Sequence, residues 1–174
     1  AKVKIINTYN HPRNNIKDRS IYETVIALIS NAKKSIHIED QYMLSVEIAQ
    51  LINRKLKLNP TLSVSILTQD DEFAQEDIHI VKRMRREFID GLYGGFLSKY
   101  LYPNVKIYSL NPKAAFPGKH QVHSKLYIID REIAIIGSAN CSRRSMTNDS
   151  ETAAVIFNEI NTPNYFVTSI ENPY

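Results

Sequence analysis

Apolar residues fall at helical spacing in three stretches of the chain, and at alternating or continuous positions in six shorter ones. Ile21, Val25, Leu28 and Ile29 predict an amphipathic helix over residues 20–33, opened by a capping box of Ser20 and Glu23 and closed by Lys33 and Lys34. Leu44, Ile48, Leu51, Ile52 and Leu56 predict a second helix over 44–56, with Ser45 as its cap and Asn59-Pro60 beyond its end. Ile78, Val81, Met84, Phe88, Ile89 and Leu92 carry a third, longer helix that loosens at Gly91, Gly94 and Gly95. Between and after these helices, β-branched runs predict strands at 35–39, 62–67, 105–110, 122–129, 133–138 and 152–157. Residues 69–75 are polar and acidic, and residues 111–119 are broken by Pro112, Pro117 and Gly118, so both segments read as loops. Asp130-Arg131 reads as a two-residue hairpin turn. Strands and helices alternate, which predicts an α/β layered fold with helices packed on a largely buried sheet.

The chain's 174 residues make one domain, 1–174, large enough to bury about 70% of its unfolded surface without disulfides or structural metal. With 43% hydrophobic and 23% charged residues it has the profile of an ordinary globular protein. The longest apolar runs, 25–29 and 153–157, are far short of the roughly 20 residues of a spanning helix. The opening residues contain no apolar leader segment, so no secretory signal is expected within them, and localisation stays open. A single cysteine, Cys141, excludes an internal disulfide framework. The net charge of +4 and a pI near 9.1 favour an anionic partner: phosphate ester, nucleic acid or acidic lipid.

Chemistry concentrates in the last strands, at His123, Lys125, Ser138, Asn140 and Glu151. In a strand, His123 and Lys125 face the same way about 6.6 Å apart, an imidazole beside a cation, which suits a phosphate ester. A two-residue turn would place Ser138 across from His123 and Ile136 across from Lys125, with Asn140 on the same face; a three-residue turn would flip Ser138 away. Asp130 has the wrong parity and sits at the turn, where a carboxylate caps backbone N–H groups, so its expected role is structural. Neutral imidazole can attack phosphorus, Glu151 can orient the ring and stabilise developing positive charge, and Lys125 with Asn140 can bind the non-bridging oxygens. A proton donor for the leaving alcohol is missing from this set, which makes it half of a site.

Residues 123–130, HSKLYIID, resemble the HxKxxxxD motif of the phospholipase D superfamily, and Gly137-Ser138-Ala139-Asn140 with Glu151 resembles that family's downstream GSxN and acidic positions. Residues 38–42 (IEDQY) and 143–146 (RRSM) resemble phospholipase D proper more than the small nuclease branch, and the likeness covers most of the chain from Ile21 onward. The resemblance implies a layered α/β sandwich, a mixed sheet flanked by helices. It also implies metal-independent hydrolysis, or transfer to another alcohol, of the phosphate to head-group ester of phospholipids. The reaction would run through a phosphohistidine, with one histidine as nucleophile and a second, from another motif, as general acid. The catalytic residues implied are His123, Lys125, Asn140 and Glu151; the phosphate-binding residues are Lys125, Ser138 and Asn140; no cofactor is implied. Since the sequence holds one motif, a second half is expected, either from a homodimer or from a longer chain of which this is the C-terminal half. In the latter case His123 is the general acid. The alternatives are an endonuclease of the same superfamily and an inactive anion-binding half-module.

Other features admit plainer readings. His120 and His123 have no further ligand at metal-binding spacing, so no metal is expected. His11 and His37 read as structural. Lys82-Arg83 and Arg85-Arg86 read as a solvated helix face before a nucleic-acid surface. Tyr93, Phe96, Tyr100, Tyr102 and Phe116 form either core or a membrane-surface contact. Cys141 reads as a small buried residue.

Overall fold

The computed structural model describes residues 1–11, 16–69, 79–95, 102–109 and 121–158. The elements, in chain order, are β1 (Lys2–His11), β2 (Ile16–Asp18), α1 (Ser20–Asn31), β3 (Ser35–Asp40), α2 (Val46–Leu58), β4 (Ser63–Thr68), α3 (His79–Tyr93), β5 (Val105–Ser109), β6 (Lys125–Ile129), β7 (Ile133–Gly137), α4 (Arg143–Thr147) and β8 (Glu151–Phe157). Eight strands form one mixed sheet in the order β2-β1-β8-β7-β6-β3-β4-β5. β3, β4 and β5 are parallel and joined by α2 and α3, while β6, β7 and β8 form an antiparallel meander closed by β1. The fold is the expected α/β sandwich of a mixed sheet with flanking helices.

Strand parity separates the two faces. One carries Ile6, Ile36, Ile38, Val64, Ile66, Tyr127, Ile129, Ile135 and Val155, all buried against Val25, Leu28, Ile29, Ile48, Ile52 and Leu56 of α1 and α2. The other carries Val3, Ile5, Ile136 and Ile156, which stay exposed. Burial of the first face supplies the main drive to fold, at about 25 cal/mol per Å² of apolar surface.

The three predicted helices and six predicted strands are present within a few residues of the expected bounds, as far as they lie among the described residues; Leu110 and the loops 70–75 and 111–119 lie outside them. Two local expectations need correction. Ser20 does not cap α1: Arg19 occupies the cap position, and the Ser20 hydroxyl donates to Asn7 O and accepts from Asn7 N, so it ties α1 to β1. Lys33 and Lys34 lie past the last turn of α1. The cap at Ser45 is present, accepting from Ile48 N at 3.4 Å. β1, β2 and α4 were not anticipated. The cationic face of α3 also differs from expectation: Arg85 is buried and donates to the carbonyls of Gln41, Tyr42 and Gln69, which clamps α3 to the ends of β3 and β4. Tyr93 is buried and Tyr102 packs against the core; Phe96, Tyr100 and Phe116 lie outside the described residues.

Candidate active site

The β6–β7 connection decides how the motif residues meet. The turn spans Asp130, Arg131 and Glu132, with left-handed φ at Asp130 (56°) and Arg131 (61°), and Glu132 N donates to Ile129 O. Ile129 therefore opposes Ile133 and Leu126 opposes Ile136. The expected two-residue turn, with Ile136 across from Lys125 and Ser138 across from His123, is overturned. An odd turn gives Ser138 the parity of Ile136, away from Lys125. Ser138 reaches the site another way: its hydroxyl donates to Glu151 Oε2, and it accepts from Thr152 N at 3.1 Å.

β6 begins at Lys125, so His123 precedes the strand instead of sharing it. His123 is exposed; Lys125 is buried, 8% exposed. Lys125 Nζ donates to the carbonyl oxygen of His123 at 2.8 Å. Burial pushes the Lys125 ammonium toward lower pKa, and the carboxylates of Asp40 and Glu151 oppose that shift. Yet among the described residues no carboxylate lies within ion-pair distance of Nζ.

The end of β7 needs a glycine, and Gly137 supplies it. A Cβ there would meet Thr152 O at 2.4 Å and Ala153 Cβ at 2.5 Å, so the close approach of β7 to β8 depends on its absence. Ser138 N continues the ladder by donating to Thr152 O. The chain then turns at Asn140 and Cys141. The Asn140 Oδ1 atom is buried without a hydrogen-bond partner among the described residues, an acceptor whose desolvation goes uncompensated.

Beneath this turn lies Asp40, a residue whose role is not apparent from the motif pattern. Asp40, at the end of β3, is fully buried; its Oδ1 accepts from Tyr42 N (2.7 Å) and Met43 N (3.0 Å), and its Oδ2 accepts from Cys141 N (2.8 Å). Burial pushes its carboxyl toward higher pKa, while these N–H groups and Lys125 pull it down. The hint in the sequence is an acid at the same parity as Ile36 and Ile38, the two apolar, buried positions of the strand. Cys141 is wholly buried, and burial pushes its thiol up to about 12, which leaves it protonated and not nucleophilic at neutral pH.

Asp130 stands at the far end of β6. Its carboxylate accepts from the backbone N–H groups of Lys33, Lys34 and Ser35 at 2.6–3.1 Å. His37 bonds Ser65 Oγ through Nδ1 (2.7 Å) and Glu39 through Nε2 (3.1 Å), on the face opposite Lys125. The sheet thus gathers Lys125, Glu151 and Asp40 at one edge of the helix-bearing face, with His123, Ser138 and Asn140 on the adjoining segments. Glu151 is bonded to Ser138, not to the His123 ring. Among the described residues no cluster of three or more His, Cys, Asp or Glu could hold a metal ion; His120 lies outside them. On the helix side, a cleft of about 620 Å³ runs beside α4, with Arg19, Tyr22, Met84, Arg143 and Met146 in its walls.

The comparisons with known proteins agree with this architecture. Among solved structures, the chain is similar to Nuc, a phospholipase D family member from Salmonella typhimurium (TM-score 0.60, 18% identity, 98% of this chain and 91% of that one). It is also similar to NucT from Helicobacter pylori (0.60, 21%, 98% and 94%) and to phosphatidylserine synthase from Haemophilus influenzae (0.64, 13%, 98% and 38%). At these identities the likeness is one of fold. Among curated proteins it is similar to phospholipase D C of Dictyostelium discoideum, 26% identical over 167 residues, and to phospholipase D A of the same organism, 27% identical over 178. These alignments take in 81% and 83% of this chain, but the chain spans only 10% and 14% of those relatives' own length. Residues 25–171 match the family model described as cardiolipin synthase, PLD-like domain. With most of its length inside that match and the sheet of its solved neighbours, the chain belongs to the phospholipase D-like superfamily of phosphodiesterases.

Proposed function

We propose that this chain is one catalytic half of a phospholipase D-type enzyme that cleaves the phosphate to head-group ester of a phospholipid. The single observation that carries this reading is Lys125: a buried ammonium with no ion-pair partner among the described residues, two residues from an exposed imidazole. A buried charge is expensive unless matched, so it is retained where an incoming anion supplies the match. A phosphodiester does so. The Asn140 amide lies on the segment that follows β7 and is well suited to its non-bridging oxygens.

In the proposed reaction, neutral imidazole attacks phosphorus, a P–N bond forms and the bond from phosphorus to the head-group oxygen breaks. The leaving alkoxide takes its proton from a second histidine. Water then attacks the phosphohistidine, the P–N bond breaks, and phosphatidate is released as the proton returns to the second ring. His123 supplies one of these two rings, and a second half supplies the other, in a homodimer or in a longer chain. Lys125, Ser138 and Asn140 bind the phosphate, and Glu151 stabilises imidazolium charge. No cofactor enters these steps. Support for a lipid substrate comes from the likeness to phospholipases D and from an α3 whose arginines are partly committed internally, which weakens the case for nucleic acid.

The test uses the assembled protein with phosphatidylcholine vesicles and, separately, a DNA oligonucleotide. His123→Ala is expected to lower head-group release by about 10³-fold or more, the scale on which loss of a nucleophile or its acid acts. Undiminished hydrolysis by the variant would sink the reading, and cleavage of the oligonucleotide alone would transfer it to nucleic acid.

A further inference from the structure

Asp40 and Lys125 face each other directly in the antiparallel β3–β6 pair, one 0% and the other 8% exposed, yet they form no ion pair. The reason is visible in the carboxylate's own bonds. Both oxygens are engaged by backbone N–H groups, Oδ1 by Tyr42 and Met43 and Oδ2 by Cys141. Those three bonds hold the anion close enough to act on Lys125 through the low-dielectric interior without taking up its N–H donors. One of them also anchors Cys141, the residue after Asn140.

We propose that Asp40 is a positioning residue of the phosphodiester site: its backbone-anchored carboxylate keeps Lys125 cationic without occupying any of its N–H donors, so those not bonded to the His123 carbonyl can meet substrate, and it fixes the turn that presents Asn140. The proposal rests on the functional reading above and adds to it a residue that touches no substrate. The other groups facing the pair do not take over this role. Burial holds the Tyr127 hydroxyl and the Cys141 thiol in their neutral forms. Glu151, at the start of β8, acts on Lys125 in the same direction as Asp40 but is bonded to Ser138, and His123 meets the ammonium through its backbone carbonyl.

Burial lowers the pKa of Lys125, and Asp40 is the largest influence opposing it. Asp40→Asn removes that opposition, so the ammonium must release its proton at lower pH. The experiment follows the Lys125 side chain by heteronuclear NMR in the whole chain across pH, alongside titration with inorganic phosphate. The expected result is a midpoint lower by about one unit or more in Asp40→Asn, and phosphate binding that is lost at correspondingly lower pH as the ammonium gives up its proton. An unchanged midpoint in a folded Asp40→Asn protein overturns the proposal. Should that variant not fold, Lys125→Met reads the same coupling from the other side: the Asp40 carboxyl must then titrate at higher pH, because coupling is reciprocal. A carboxyl that does not move overturns the proposal. Shifted midpoints with no phosphate binding to the unmodified chain support the coupling and count against the phosphodiester reading alone.

Discussion

Asp130 accepts three backbone N–H groups from residues 33–35, and its own N–H donates to Ser35 O at 2.8 Å. Hydrogen bonds to a charged acceptor contribute about 1.5–3 kcal/mol each, less where water competes and never fully additively. Asp130→Ala is therefore expected to cost about 3 kcal/mol of stability, read as a lower urea midpoint at unchanged slope. Its structural role was legible because it stands at a turn with the wrong parity for the site. The role of Asp40 was not: nothing local reveals that Cys141, about a hundred residues later, delivers an N–H to it. Ser20 misled for a related reason. A serine three residues before a glutamate satisfies the capping pattern, but β1 passes close enough to claim the hydroxyl, and that neighbour is invisible in the local sequence.

At the scale of elements, periodicity recovered the helices and central strands because each buries one continuous face. It missed β1, whose pattern is blunted by exposed Val3 and Ile5 facing away from the helices, and α4, five residues being too short to show a period. The turn length was misjudged because Asp130 and Arg131 both adopt left-handed backbone without glycine, which composition does not announce. Arg85 shows how an element can be tied at a point its sequence conceals. In a run of four basic residues within five positions it looks solvated, yet it holds three carbonyl oxygens at the ends of β3 and β4. Arg85→Leu strands those acceptors and is expected to destabilise by about 3 kcal/mol. Arg86→Leu, one position along and exposed, is expected to stay within about 0.5 kcal/mol. Paired thermal melts check the contrast.

Across the whole molecule, the sheet has two unlike faces, and neighbouring positions on one strand report both. Ile135→Lys places a charge in the core, where Ile135 is 3% exposed, and is expected to prevent folding; Ile136→Lys, where exposure is 51%, is expected to cost about 1 kcal/mol at most. Circular dichroism of the two variants tests the assignment of sides. The order of strands could not be read in advance, because β1 joins β8 across almost the full length of the chain, and only that pairing sets Thr8 opposite Glu151.

The five residues of β6 also explain why the motif has the spacing it has. At about 3.3 Å per residue, the strand separates Lys125 from Asp130 by roughly 17 Å. One end is thus held against the tip of β3 near the chemistry, and the other is latched to the segment leading into β3. The interval works as a ruler cut to the width of the sheet. An extra residue placed between the two would leave every motif side chain in the protein, yet only one end of the strand could be in register at a time.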